Sequence, residues 1–388
     1  MVHQWAAKKW STFLKKFSLS IIISTFFFAL PIRATTRAVE EIKCRAEKGF
    51  ADAQCALGAC YSLGRGVPQS YSEAIKWYRR AAEQGDVRAQ VALGTHYASG
   101  TGVLQSYAEA IKWFRMAAEQ GDLEAQKTLG ASYYYGDGVP QSCVEATRWY
   151  RKAAEQGDDQ AQFILGASYA QGIGVPRDMR EASRFYRLAA EQGNADAQSE
   201  LALIYYNGEG VPRDRREAAH LFRLAAEQGV AQAQYNLALM YYNGDGVPRN
   251  LREAARFYRL AANQGDAQAQ YNLALMYERG EGVSRNLREA IRLYRLAAVQ
   301  GYVKAQCNLA VMYYLGEGVS RDLREAVRLF RLAAEQGDAQ AQKNLALMYY
   351  KGEGVEKNVV EAIRLFRLAA RQGNEEARKF LQEEGYSF

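Results

Sequence analysis

An all-α solenoid of tandem helix–turn–helix units is the fold predicted by three regularities in this sequence. The pair Gln-Gly recurs every 36 residues from Gln84-Gly85 to Gln372-Gly373, without an insertion. Ala-Gln does the same from Ala53-Gln54 to Ala341-Gln342, and Gly-x-Gly-Val from Gly64 to Gly352. A fixed period of this length is the mark of a stacked-repeat architecture. Nine full units then occupy residues 49–372, with a capping helix over 35–48 before them and another over 373–388 after them.

The N-terminus reads as an address. Lys8, Lys9, Lys15 and Lys16 precede an uncharged apolar run, Phe17 to Leu30, and small residues follow at Ala34. That order predicts a secretory signal peptide over residues 1–34, cleaved after Ala34. The run is short for a spanning helix, which needs about 20 apolar residues. An uncleaved anchor is the alternative, and both place the remainder outside the cytoplasm, periplasmic or secreted. Of the net charge of +7, residues 1–48 supply +6, from nine basic and three acidic side chains. The repeats are thus close to neutral, which argues against a nucleic-acid partner. Cys44, Cys55 and Cys60 cluster near the start, while Cys143 and Cys307 stand apart. A bridge from Cys44 to Cys55 or Cys60 and a set of free thiols are both open readings.

Within a unit the elements follow one order, and residues 195–228 serve as the example. In the first helix Ala197, Leu201, Ile204 and Tyr205 share one face. Gly208 suits the left-handed turn after a helix, and Gly210 lets the backbone turn tightly before Val211 reaches back to the core. The second helix opens on a cap residue with Glu three places on, as in Ser70…Glu73 and Asp178…Glu181. That spacing predicts a capping box in which the Glu side chain returns to the cap amide. Ala182, Tyr186, Ala189 and Ala190 form its buried stripe. Small residues, Gly58, Gly94, Gly130 and Gly166 and then Ala202 to Ala346, let neighbouring helices approach closely.

The succession Ala-Gln-x-x-Leu-Gly-x-x-Tyr, Gly-x-Gly-Val, Glu-Ala and Ala-Ala-Glu-Gln-Gly, as in Ala89–Tyr97 and Ala81–Gly85, resembles the Sel1-like repeat family. The resemblance implies a right-handed superhelix related to tetratricopeptide repeats and used for protein–protein interaction, with some exported members acting in signalling or at host cells. A cysteine-rich subgroup of that family is linked to penicillin binding and β-lactam hydrolysis. It pairs cysteines eight residues apart, where this chain has Ala82 and Gln90 or Ala190 and Gln198. The chain departs from that subgroup at these positions, which counts against a carry-over of its activity, and a cell-wall or β-lactam hydrolase is kept as the alternative function.

Chemistry is hard to find in the residues themselves. HExxH, GxSxG, GxGxxG and P-loop motifs do not occur, so no catalytic residue, metal ligand or cofactor is assigned. Two ladders remain. Arginine recurs every 36 residues from Arg79 to Arg367 on the outer side of the second helix, with Arg180 and Arg184 beside it in the fourth unit. That is a solvated face, or a strip for acidic headgroups or an acidic partner. The other ladder lies on the first helix, on the expected concave side. It comprises Tyr235, Leu239 and Tyr242; Tyr271 and Leu275; Tyr314; and Leu347 and Tyr350, flanked by Asn236, Asn272, Asn308 and Asn344. These residues predict a groove for a protein or peptide, with tyrosines as anchors and amides for a peptide backbone. The expected function is a non-enzymatic scaffold whose membrane contact, if any, is through the leader or anchor segment.

Overall fold

A computed structural model of the chain describes residues 36–387, so the expected leader lies outside the described residues. Regular structure among them is α-helical. It begins with α1 (Thr36–Glu47), α2 (Ala51–Leu63) and α3 (Tyr71–Glu83), and the α2–α3 pair then returns at α4 (Val87–Ser99) and α5 (Tyr107–Glu119). The alternation continues to α18 (Ala339–Lys351), α19 (Val359–Arg371) and the terminal α20 (Glu375–Glu383). The described helices group into two compact units, the first running to Ala197 and taking in Glu209–Val211, the second made of Gln198–Gly208 and the chain from Pro212 onward.

Both units use the same local devices. A helix of 13 residues is marginal by itself, so its ends and one face must be stabilised. All nine second helices are capped as expected at the side chain: Ser70 accepts from the Glu73 amide, and Asp178 accepts from the amides of Arg180 and Glu181. The reciprocal half of the capping box is replaced. The cap amide donates instead to the carbonyl of the motif tyrosine, Ser70 N to Tyr61 O and Asp178 N to Tyr169 O, each at 2.9 Å. The Glu carboxylate is thereby free to pair with a basic residue one turn on, as Glu289 does with Arg292 at 2.7 Å.

First helices have a cap of their own. The Asp of Gln-Gly-Asp accepts the first-turn amide, Asp86 from Ala89 and Asp266 from Ala269; Val230 and Tyr302 in that slot make no such bond. Each first helix ends on a left-handed glycine such as Gly244, at φ 80°. The second loop glycine has a further role. A Cβ on Gly246, itself at φ 69°, would lie 2.1 Å from the Arg215 carbonyl oxygen, so the loop packs directly on the start of the preceding second helix.

In the first unit Leu57, Leu93 and Leu129 are fully buried, with Val67, Val103 and Val139 from the loops against the core. In the second, Leu237, Leu273 and Leu309 alternate with Phe222, Tyr258, Tyr294 and Phe330. Each such side chain contributes about 1.5–3 kcal/mol on burial. The small position beside them is fully used: the Tyr150 ring lies so close to Gly130 that an added Cβ would be 2.8 Å away.

Candidate first-helix interaction face

The motif residues meet at the seams between repeats. Gln54, Gln90 and their equivalents up to Gln342 are buried. Gln270 Nε2 donates to Ala262 O of the preceding second helix at 3.2 Å, and Gln270 Oε1 accepts from Gln300 Nε2 of its own repeat at 2.8 Å. The second of these bonds, between residues 30 apart, recurs in all nine repeats, from Gln84–Gln54 to Gln372–Gln342. Ala-Gln and Gln-Gly are therefore two ends of one buried amide ladder.

The arginine ladder is also a seam device. Arg79 Nη2 donates to Tyr97 OH at 2.6 Å, and Arg259, Arg295 and Arg331 repeat the contact with Tyr277, Tyr313 and Tyr349. A neutral hydroxyl fixes the guanidinium without compensating its charge. Arg367 turns to the Ser387 carbonyl at 2.8 Å.

The tyrosine groove is only partly open. Tyr235 and Tyr271 occupy a slot that faces the next repeat: at the same position Lys127 pairs with Asp158 at 2.9 Å, Cys307 bonds Asp338, and Lys343 is 8% exposed against Glu376. Tyr235 lies against Tyr258, and Tyr271 sits between Tyr294 and Tyr302. Burial raises the hydroxyl pKa of both. Tyr242, Tyr314 and Tyr350 are struts. Their hydroxyls bond Glu281, Glu353 and Glu384 at 2.8, 2.7 and 3.0 Å, which raises their pKa values.

The asparagines divide into two pairs. Asn308 Nδ2 donates to Tyr294 OH at 3.1 Å and is already engaged, while the Asn272 amide lies by the Tyr258 and Tyr235 hydroxyls and works against the rise in pKa that burial gives them. The residues equivalent to Tyr258 and Tyr294 are Phe222 and Phe330 in the repeats before Asn236 and Asn344. Asn236 Nδ2 is buried with no hydrogen-bond partner. What remains open along the first helices is a row of one aliphatic side chain per repeat. Leu203, Leu239, Leu275 and Leu347 are half-buried, and Val311 is exposed.

The remaining reactive side chains are dispersed. His96 is buried, its Nδ1 is 2.8 Å from Thr101 O, and burial lowers its pKa; His220 is exposed. All five cysteines are free, Cys44 exposed and Cys55 and Cys60 buried. Burial raises the Cys55 thiol to about 12, and burial with the Asp338 carboxylate does the same at Cys307. Among the described residues, no three His, Cys, Asp or Glu side chains are grouped to hold a metal, and no helix is long and apolar enough to cross a membrane.

The model of the Sel1 repeat matches the chain nine times in succession, over residues 51–86, 87–122 and so on to 339–374. The chain belongs to the Sel1 repeat family. Its Sel1 repeats are similar to those of c5321, a protective antigen of uropathogenic Escherichia coli strains with an SLR fold. That protein is 38% identical, with 90% of this chain and 76% of the other covered, at a TM-score of 0.80. A Sel1 repeat protein from Oxalobacter formigenes is 34% identical, over 80% of this chain and 90% of its own, at a TM-score of 0.64. No curated protein matches the sequence. Solenoids of Sel1 repeats are typically protein-binding scaffolds without catalytic activity.

Proposed function

We propose that this Sel1-repeat protein is a non-enzymatic adaptor that holds a segment of a partner protein on the first-helix face of its second unit, outside the cytoplasm. The observation that carries the reading is the aliphatic row Leu203, Leu239, Leu275, Val311 and Leu347, one side chain per repeat and each still partly open to solvent. It is bordered by Tyr242, Tyr314 and Tyr350, whose rings are already held by their struts. Pre-set aromatic side chains lose little freedom on binding, which favours them as anchors. Similarity to a protective antigen supports an exported setting and a role at the surface presented to a host.

The test leaves the struts in place. Leu239→Asp, Leu275→Asp and Leu347→Asp put charge on the row without touching the tyrosine hydroxyls. A photo-crosslinker in the neighbouring Gln268 position of the native chain reports on partner capture. Loss of the crosslinked species with unchanged helicity is expected. Full capture by the triple variant would dismiss this face as the binding surface.

A further inference from the structure

A different surface of the second unit carries a second interaction. We propose that the second-helix face of repeats six to nine docks on a membrane surface bearing anionic phospholipids. The four helices Leu251–Asn263, Leu287–Val299, Leu323–Glu335 and Val359–Arg371 hold twelve arginines against five glutamates. The corresponding helices of repeats one to four hold eleven basic against eight acidic side chains. The difference lies at the last helical position. Glu83, Glu119, Glu155 and Glu191 occupy it in the early repeats, and Asn263, Val299 and Arg371 replace it later.

Ten of these arginines fall in three rows. Arg256, Arg292, Arg328 and Arg364 are neutralised by the Glu three residues before. Arg259, Arg295 and Arg331 are exposed and fixed at 36-residue intervals by neutral tyrosine hydroxyls. The Glu289 and Glu361 carboxylates feel Arg259 and Arg331 but already pair with Arg292 and Arg364, so two guanidiniums share one carboxylate and positive charge remains in excess. Arg252, Arg288 and Arg324 are exposed at the helix starts. A guanidinium matches the geometry of a phosphate oxygen pair. Phosphate alone would equally suit an acidic protein, and the apolar side chains favour a bilayer. Leu260, Leu296 and Leu332 follow directly on the fixed arginines and are exposed, and Val299 is 90% exposed. Arginine at the headgroups with leucine beside it is the composition of a surface that lies on a membrane.

The test is flotation of the purified full chain with vesicles of phosphatidylcholine alone and with about one-third phosphatidylglycerol, at about 50 mM and 300 mM salt. Binding is expected only to the anionic vesicles and is expected to fall at the higher salt. Each basic side chain at such a surface strengthens binding about fivefold, so R259Q/R295Q/R331Q together should lose about a hundredfold. A second triple variant, R252Q/R288Q/R324Q, leaves the tyrosine bonds intact and should lose a comparable amount without a change in melting. Leu260→Ser with Leu296→Ser and Leu332→Ser should weaken binding at both salt concentrations. Leu239→Asp, on the first-helix face, should leave flotation unaltered, which separates this surface from the adaptor face. Equal behaviour on neutral and anionic vesicles, or undiminished binding by both arginine variants, would overturn the proposal. So would capture of a polyglutamate peptide without flotation.

Discussion

Replacing Gln270 by alanine tests the buried amide ladder at an interior seam. The side chain donates to Ala262 O at 3.2 Å and accepts from Gln300 Nε2 at 2.8 Å, and it is 3% exposed. Alanine removes both bonds, worth about 1 kcal/mol each, and leaves a small void that adds about 1 kcal/mol more. The expected loss is about 3 kcal/mol. Gln300→Ala breaks only the exposed end of the pair and should cost about 1 kcal/mol. If the two amides act on each other, the double variant should lose about 1 kcal/mol less than the sum of the singles. Urea unfolding measures all three, and hydrogen exchange at the seam amides reports the same losses locally, since stacked repeats need not melt as one unit. A Gln270→Ala loss below about 0.5 kcal/mol, with no coupling to Gln300, would refute the ladder as a stabilising device.

Other perturbations follow from the same seams. Gly246→Ala should destabilise by about 3 kcal/mol or more, because the new Cβ meets the Arg215 carbonyl. Gly265→Ala, at φ 92° with open space around it, should cost only about 1–2 kcal/mol in the same melts. His96 has its folded pKa lowered by burial, so below about 6.5 the unfolded chain binds the extra proton and stability declines as pH falls. His96→Met should flatten urea midpoints between about pH 5 and 7, and an unchanged slope would contradict the assignment. Under native conditions at pH 8 a thiol reagent should label Cys44 at once. It should reach Cys55 and Cys307, whose thiols are raised to about 12, only after unfolding, as mass spectrometry would read.

The repeat frame was legible because its signals are local and periodic. Cap residues such as Asp178, the left-handed glycines and the buried Ala and Leu stripes all act within one helix or one loop. The bonds between helices were less legible, because they join residues 18, 30 or 39 apart, as in Arg259–Tyr277 and Tyr242–Glu281 across seams and Gln300–Gln270 within one repeat. A helical wheel describes position around one axis. It placed Tyr235 and Tyr271 on a free face, whereas stacking adds a second direction and turns that slot toward the next repeat. The signal available was Lys127 and Lys343 in the same slot with an acid 31 or 33 residues on, a spacing that points across a seam. Glutamine gave the opposite impression. Buried Gln is uncommon, yet its return at one register makes sense once residues such as Gln270 are seen to serve two repeats.

The ladder also makes the protein's length easy to change. Within each unit a repeat brings the Gln that reaches back and the Ala carbonyl that receives the next one, as Gln270 and Ala298 do for repeat seven. Excising one 36-residue block brings an equivalent donor to an equivalent acceptor, and duplicating one creates a seam identical in chemistry to those on either side. A gene encoding such a chain can therefore gain or lose a module in a single recombination event without orphaning a buried amide. Reach, rather than shape, is what this architecture lets selection adjust most freely.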